Sequence, residues 1–330
     1  MRRRLQTLRL RTDGFTVTPA AYARVAWVAL TALTLIVLSG AAVRLTGSGL
    51  GCPDWPRCYG RAYPPLTTHA VIEFSNRMIT TPVALAAIAA VVLARRRRPY
   101  RPELFRIALL LPLGVLGQAV LGGFTVRGAL DYGWVMAHFA LSMLILVAAV
   151  ALTWAATHEP GESRSAAGGD RRSVWLVRAL VPLAALTVLA GTAATAAGPH
   201  AGGSPGQRIN RLSFDGGGTM DFVIHRHGEI GLLLGLASLG VWWWLGRQPA
   251  PDAQARRALG WVCPLLAAQG FVGLVQYETH LPTQLVWLHV ALACGVWLTV
   301  LWSAAAAGSS APELASLSER RIAHPPGVPA

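Results

Sequence analysis

Eight apolar stretches of about 20 residues each limit this chain to one kind of fold. They can be read at roughly 24–43, 71–94, 107–126, 134–155, 174–197, 223–246, 258–277 and 285–306. Each is long enough to cross the hydrocarbon layer of a bilayer as a helix. Hydrophobic residues make up 53% of the chain and charged residues 13%, so too little polar surface exists to enclose eight such stretches in water. The expected fold class is all-α integral membrane, with eight transmembrane helices.

The formal charge of +14 would suit a nucleic-acid partner if the arginines lay on one surface stripe. They are instead sorted by loop. Arg2, Arg3, Arg4, Arg9 and Arg11 precede the first span, Arg95 to Arg98 follow the second, Arg171 and Arg172 the fourth, and Arg256 and Arg257 the sixth. These are the loops on one side of an eight-span protein, so the positive-inside rule places both termini in the cytoplasm and accounts for the charge without nucleic acid. The arginine-rich start lacks serine and runs into the first span, which reads as a cytoplasmic anchor rather than a transit peptide. A bacterial plasma membrane is the expected location.

The chain repeats itself at about 150 residues. `VMAHFAL` around His138 returns as `VWLHVAL` around His289, `VLSG` at Val37 to Gly40 as `VLAG` at Val188 to Gly191, and Gln118 as Gln269. `SNR` ending at Arg77 pairs with `IHR` ending at Arg226, which sets Asn76 against His225. Four spans per repeat make two tandem four-helix bundles, related by a pseudo-twofold axis along the membrane normal. The divisions follow: a cytoplasmic segment at 1–23, a first bundle at 24–157, a linker at 158–173, a second bundle at 174–306 and a cytoplasmic tail at 307–330.

Polar residues inside spans are costly and mark function. Glu73, Asn76, His138, His225 and His289 all fall in the first turns of even-numbered spans, hence near the outer face. Two histidines on non-adjacent helices at matching depth can supply both axial nitrogens of a heme, which assigns His225 and His289 to a heme in the second half. Zinc would call for further ligands close by. His227 is the rival of His225, but residues two apart on a helix point about 200 degrees apart, and the `SNR`–`IHR` match selects His225. Glu73, which that match sets against Phe222, is the catalytic candidate; its plainer role is an ion pair with Arg77 one turn on. Arg77 and Arg226 could pair with porphyrin carboxylates. Cys52 and Cys58 in the first outer loop are a disulfide candidate, while Cys263 and Cys294 lie within spans and read as packing.

The segment `RLTGSGLGCPDWPRCYG`, with `HAVIEFSNR` and the duplicated histidine helices, resembles the heme A synthase family over roughly 25–306. The resemblance implies oxidation of the C8 methyl group of heme O to a formyl group, giving heme A for cytochrome oxidase. It also implies a heme B cofactor between His225 and His289, with Glu73 as functional carboxylate and His138 as a ligand to the heme O substrate in the first half. Heme O would come from heme O synthase, electrons would pass to an acceptor not yet identified, and a homo-oligomer is compatible with the pattern. One departure stands out. Many members carry histidine where this chain has Asn76, so a first-half heme would be held by His138 alone. A di-heme b-type cytochrome that only transfers electrons would share the histidines but would not need a one-sided carboxylate. A transporter should show broken helices near mid-membrane, whereas the even spans are expected to be uninterrupted at their centres.

Overall fold

A computed structural model describes residues 15–159, 171–204, 206–214, 217–249 and 252–307. The amino-terminal arginines, most of the linker and nearly all of the tail lie outside these residues. Eight helices follow in order: α1 (Pro19–Leu45), α2 (Thr68–Arg96), α3 (Pro102–Arg127), α4 (Tyr132–Thr157), α5 (Arg171–Ala197), α6 (Thr219–Gly246), α7 (Ala253–Glu278) and α8 (Thr283–Ala306). All eight are long and apolar enough to cross a membrane, and among the described residues no named strand occurs. The chain is therefore an all-α, multi-pass membrane protein.

Local chemistry fixes where the helices begin. Thr18 accepts a hydrogen bond from Ala21 N at 3.2 Å, with Pro19 opening the first turn of α1. Asp131 caps α4 through Gly133 N at 3.0 Å, and Asp252 caps α7 through Ala255 N at 3.0 Å. Pro82 stands near the middle of α2, against the expectation of uninterrupted even spans, yet α2 stays one helix from Thr68 to Arg96. Large apolar side chains such as Leu85, Leu113, Leu116 and Phe271 point outward, as a lipid-facing surface requires.

Within the first half α1 packs on α2 and α4, α2 on α3, and α3 on α4; α5 to α8 repeat this ring. The even helices of each half, α2 with α4 and α6 with α8, therefore face each other across a diagonal. The halves meet along α1 with α8, α4 with α8 and α4 with α5. Two indoles fasten that seam: Trp297 Nε1 donates to Met143 O and Trp287 Nε1 to Leu38 O, both at 3.1 Å. One continuous buried cluster runs through both halves, from Val17 to Ala307.

Helix starts fix the register of the repeat. Thr68 and Thr219, Pro102 and Ala253, and Tyr132 and Thr283 each open equivalent helices 151 residues apart. The same shift carries the buried face of α2, Val83, Ala87, Ala90 and Ala94, onto the buried face of α6, Leu234, Ser238, Val241 and Leu245. Matching `SNR` to `IHR` takes a shift of 149, which would lay that face on the outward-pointing Leu232, Leu236, Leu239 and Trp243. A slip of two residues rotates a helix face by about 200 degrees. Asn76 is thus equivalent to His227 rather than to His225, and Glu73 to Ile224 rather than to Phe222.

Candidate functional site

In the second half His227 and His289 come together across the α6–α8 diagonal. Their ring centroids are 6.0 Å apart, with the planes at 72°. His227 Nδ1 lies 3.0 Å from Thr187 O on α5. A carbonyl can only accept, so Nδ1 carries the proton and Nε2 keeps a free lone pair. His289 Nδ1 is buried without a hydrogen bond. Both rings lie close against glycine backbone: a Cβ on Gly191 would sit 2.9 Å from His227 Cε1, and one on Gly273 would sit 3.0 Å from His289 Cε1.

His225, expected from the sequence to oppose His289, points elsewhere. It is exposed, its Nδ1 donates to Asp221 O of its own helix at 2.7 Å, and its ring stands edge-on to Tyr277 at 6.2 Å. Arg226 is likewise exposed and pairs with Glu229 at 2.8 Å. The physical reason is helical phase: His227 continues the buried line of Val223 and Leu234, and His225 lies on the opposite face. Equal spacing is the clue in the sequence, since Asn76 precedes His138 by the same 62 residues that separate His227 from His289.

The first half builds the same frame with different groups. His138 Nδ1 is buried without a hydrogen bond, as at His289. Gly122, the counterpart of Gly273, would bring a Cβ to 3.6 Å from His138 Cε1. Gln118 Nε2 donates to His138 O at 3.0 Å and to Ser142 Oγ at 2.8 Å, holding that turn of α4 to α3. Opposite, Asn76 Oδ1 lies 2.7 Å from Ser39 Oγ on α1.

Glu73 is 5% exposed, so both of its oxygens need partners. Oε1 pairs with Arg77 Nη2, and Oε2 accepts from Cys52 N at 2.6 Å. The ion pair anticipated as the plainer role of Glu73 is therefore present. Arg77 in turn donates to Asp54 O and Arg57 O at 2.9 Å and to Cys52 O at 3.3 Å, and its guanidinium lies 4.9 Å from the centre of the Trp55 ring. These bonds take up a guanidinium otherwise free to meet a porphyrin carboxylate. Cys52 and Cys58 are disulfide-bonded, closing the same loop. The Asp54 carboxylate receives Gly60 N at 2.7 Å and Tyr59 N at 2.6 Å, which holds its pKa below the usual carboxylate value. The loop lies hard against the helices: a Cβ on Gly51 would fall 2.1 Å from His69 O, and one on Gly123 of α3 would fall 2.7 Å from Trp55 Cδ1. The result is a lid over the first half, tied to α2 through one buried carboxylate.

Comparison with known proteins bears on the whole of this frame. The family described as cytochrome oxidase assembly protein matches residues 23–71 and 67–301. The chain belongs to that family. A protein of Symbiobacterium thermophilum named heme A synthase is 29% identical over 279 residues, covering 80% of this chain and 88% of its own. A Bacillus pumilus protein of the same name is 33% identical over 114 residues, 34% of this chain and 37% of that one. A Thermus thermophilus protein named protoheme IX farnesyltransferase is 29% identical over 301 residues, 86% of this chain and 48% of its own. The match runs across both halves, and the lid with its carboxylate is what distinguishes the first half from the second.

Proposed function

We propose that this chain is a heme A synthase of the bacterial plasma membrane. It oxidises the C8 methyl group of heme O to a formyl group in two steps, each adding one oxygen atom from water and passing two electrons to an external acceptor with release of two protons: methyl to alcohol, then alcohol to a hydrated aldehyde that loses water. The observation that carries this reading is the asymmetry of a doubled site, two opposed histidines in one half against one histidine and a lidded carboxylate in the other.

The second-half residues fit a resident heme B. His227 offers an unprotonated Nε2, His289 faces it across the diagonal, and each ring lies close against a glycine, where a Cβ would press on it. His227 and His289 would hold the iron, and Thr187 O would fix the His227 tautomer as an outer-shell acceptor. Bound there, a heme supplies one-electron redox chemistry. In the first half His138 would hold the iron of the heme O substrate, with its other face opposite Asn76. Glu73 would manage protons, or stabilise positive charge developing at the reacting carbon, while the disulfide-closed lid keeps bulk water off that edge. The Thermus relative, whose name says that it farnesylates protoheme IX, supports supply of the substrate by such an enzyme.

The test is conversion of heme O by the purified protein with defined electron acceptors, read by pigment extraction. Heme A formed together with retained heme B supports the proposal. Heme B alone, with no turnover of added heme O, would leave a cytochrome that only transfers electrons.

A further inference from the structure

Under the 151-residue register, Ile36 is equivalent to Thr187, Ser39 to Ala190 and Asn76 to His227. These three positions hold one polar contact in each half, made in different ways. In the second half the Thr187 carbonyl takes the His227 Nδ1 proton at 3.0 Å. In the first half Asn76 meets α1 through Ser39 instead, whose hydroxyl has one proton to give: its Oγ lies 2.7 Å from Asn76 Oδ1 and 3.1 Å from Ile36 O on its own helix, and the shorter contact takes the proton. Where histidine stands, the intermediary is absent, because Ala190 has no hydroxyl. The pair Ser39 and Asn76 thus replaces the pair Ala190 and His227 as a unit.

The bridge also decides which way the amide points. A separation of 2.7 Å is the usual length for O–H···O and shorter than is usual for N–H···O. The amide oxygen therefore faces α1, and the NH2 group is turned to the side on which His227 meets His289 in the other half. Asparagine is a poor iron ligand and does not titrate. It can leave an iron face open while keeping a fixed N–H dipole aimed at it.

We propose that Asn76 donates a hydrogen bond to the small ligand on the iron face opposite His138, and that Ser39 is the positioning residue that aims it. This rests on the first half holding heme O through His138. The effect would be to stabilise negative charge on an oxygen-containing ligand at that face, and a second histidine would abolish it by filling the coordination position.

Carbon monoxide on the reduced holoprotein tests this without reference to turnover. A second-half heme held by both His227 and His289 would have no open position for it, so the infrared C–O stretch would report the first half alone. A donor to the carbon monoxide oxygen weakens the C–O bond and lowers the stretch. Asn76→Leu should shift the band upward; Ser39→Ala, which recreates the Ala190 arrangement, should shift it the same way by less; Ser39→Thr should leave it in place. Ser39→Ala keeps the test open should Asn76→Leu fail to fold. An unmoved band in both Asn76→Leu and Ser39→Ala would overturn the proposal, and a downward shift in Asn76→Leu would do so by showing that the amide oxygen faces the iron. A preparation that retains the second-half heme but, after incubation with heme O, binds no carbon monoxide would overturn the first-half heme site itself.

Discussion

Replacing His227 with Ala should strip the second-half heme, whereas replacing His225 with Ala should leave it in place. The two residues are neighbours in sequence and opposites in environment. His227 faces His289 at a centroid distance of 6.0 Å and is oriented by Thr187 O. Changes to the outer-shell partners of a metal ligand alone cost about 10–100-fold in metal affinity, so loss of the ligand itself should cost at least about 100-fold, or about 2.8 kcal/mol. The hydrogen bond from His227 Nδ1 adds about 1 kcal/mol to what is lost. His225 is exposed and bonded only within its own helix, so its removal should change stability by no more than about 0.5 kcal/mol. The assay is heme content and absorption spectrum of each variant after purification. A low-spin spectrum should persist in His225→Ala and vanish or turn high-spin in His227→Ala. Heme loss from His225→Ala with retention in His227→Ala would refute the register on which the assignment rests.

Glu73→Gln should abolish heme A formation while leaving the second-half heme intact; heme A made at the wild-type rate would remove Glu73 from the chemistry. Because Arg77 keeps its four loop carbonyls, the stability cost should be nearer ~2 kcal/mol than the ~3–5 kcal/mol of a stripped buried ion pair. Cys52→Ser should loosen the lid by about 2 kcal/mol of loop entropy, and thiol labelling of the wild type should rise only after reduction. Gly191→Ala, with its Cβ 2.9 Å from His227 Cε1, should perturb the second-half heme spectrum, whereas Gly122→Ala, at 3.6 Å from His138 Cε1, should be accommodated; equal spectra for Gly191→Ala and wild type would mean that the His227 ring does not rest there.

The eight spans are legible in the sequence because a bilayer sets both their length and their apolarity, and each observed helix overlaps its expected span within a few residues at either end. Duplication is legible too, through Gln118 with Gln269 and His138 with His289. String matching and the structure part over His225 and His227 for a definite reason. Shared letters in `SNR` and `IHR` set the register two residues off, and helix faces are decided by phase, not by strings. The spacing of Val83, Ala87, Ala90 and Ala94 against Leu234, Ser238, Val241 and Leu245 carries that phase. It can be read only once one knows which apolar residues of a membrane helix face protein and which face lipid, and the two kinds look alike in sequence. A helix on the surface of a water-soluble protein has no such ambiguity, since its polar residues mark the outside. Within a bilayer polar residues mark the inside instead, but on α6 Asp221, His225, Arg226, His227 and Glu229 fall on several faces of the first turns and do not fix its phase by themselves.

The lid is the least legible part, and its geometry explains why. The i,i+4 spacing of Glu73 and Arg77 announces a pair, but the partners that complete it are backbone groups: Cys52 N on Glu73, and the carbonyls of Cys52, Asp54 and Arg57 on Arg77. Backbone donors and acceptors have no letter of their own. What fixes them in place is a set of close approaches, Gly51 against His69 O and Trp55 against Gly123, that only glycine permits. The carboxylate of the first half is thus held by the same loop that covers it, so a movement of the lid necessarily changes the partners of Glu73. The second half has Ile224 at the equivalent position and no charge to release, which suits a site that keeps its heme rather than one that turns it over.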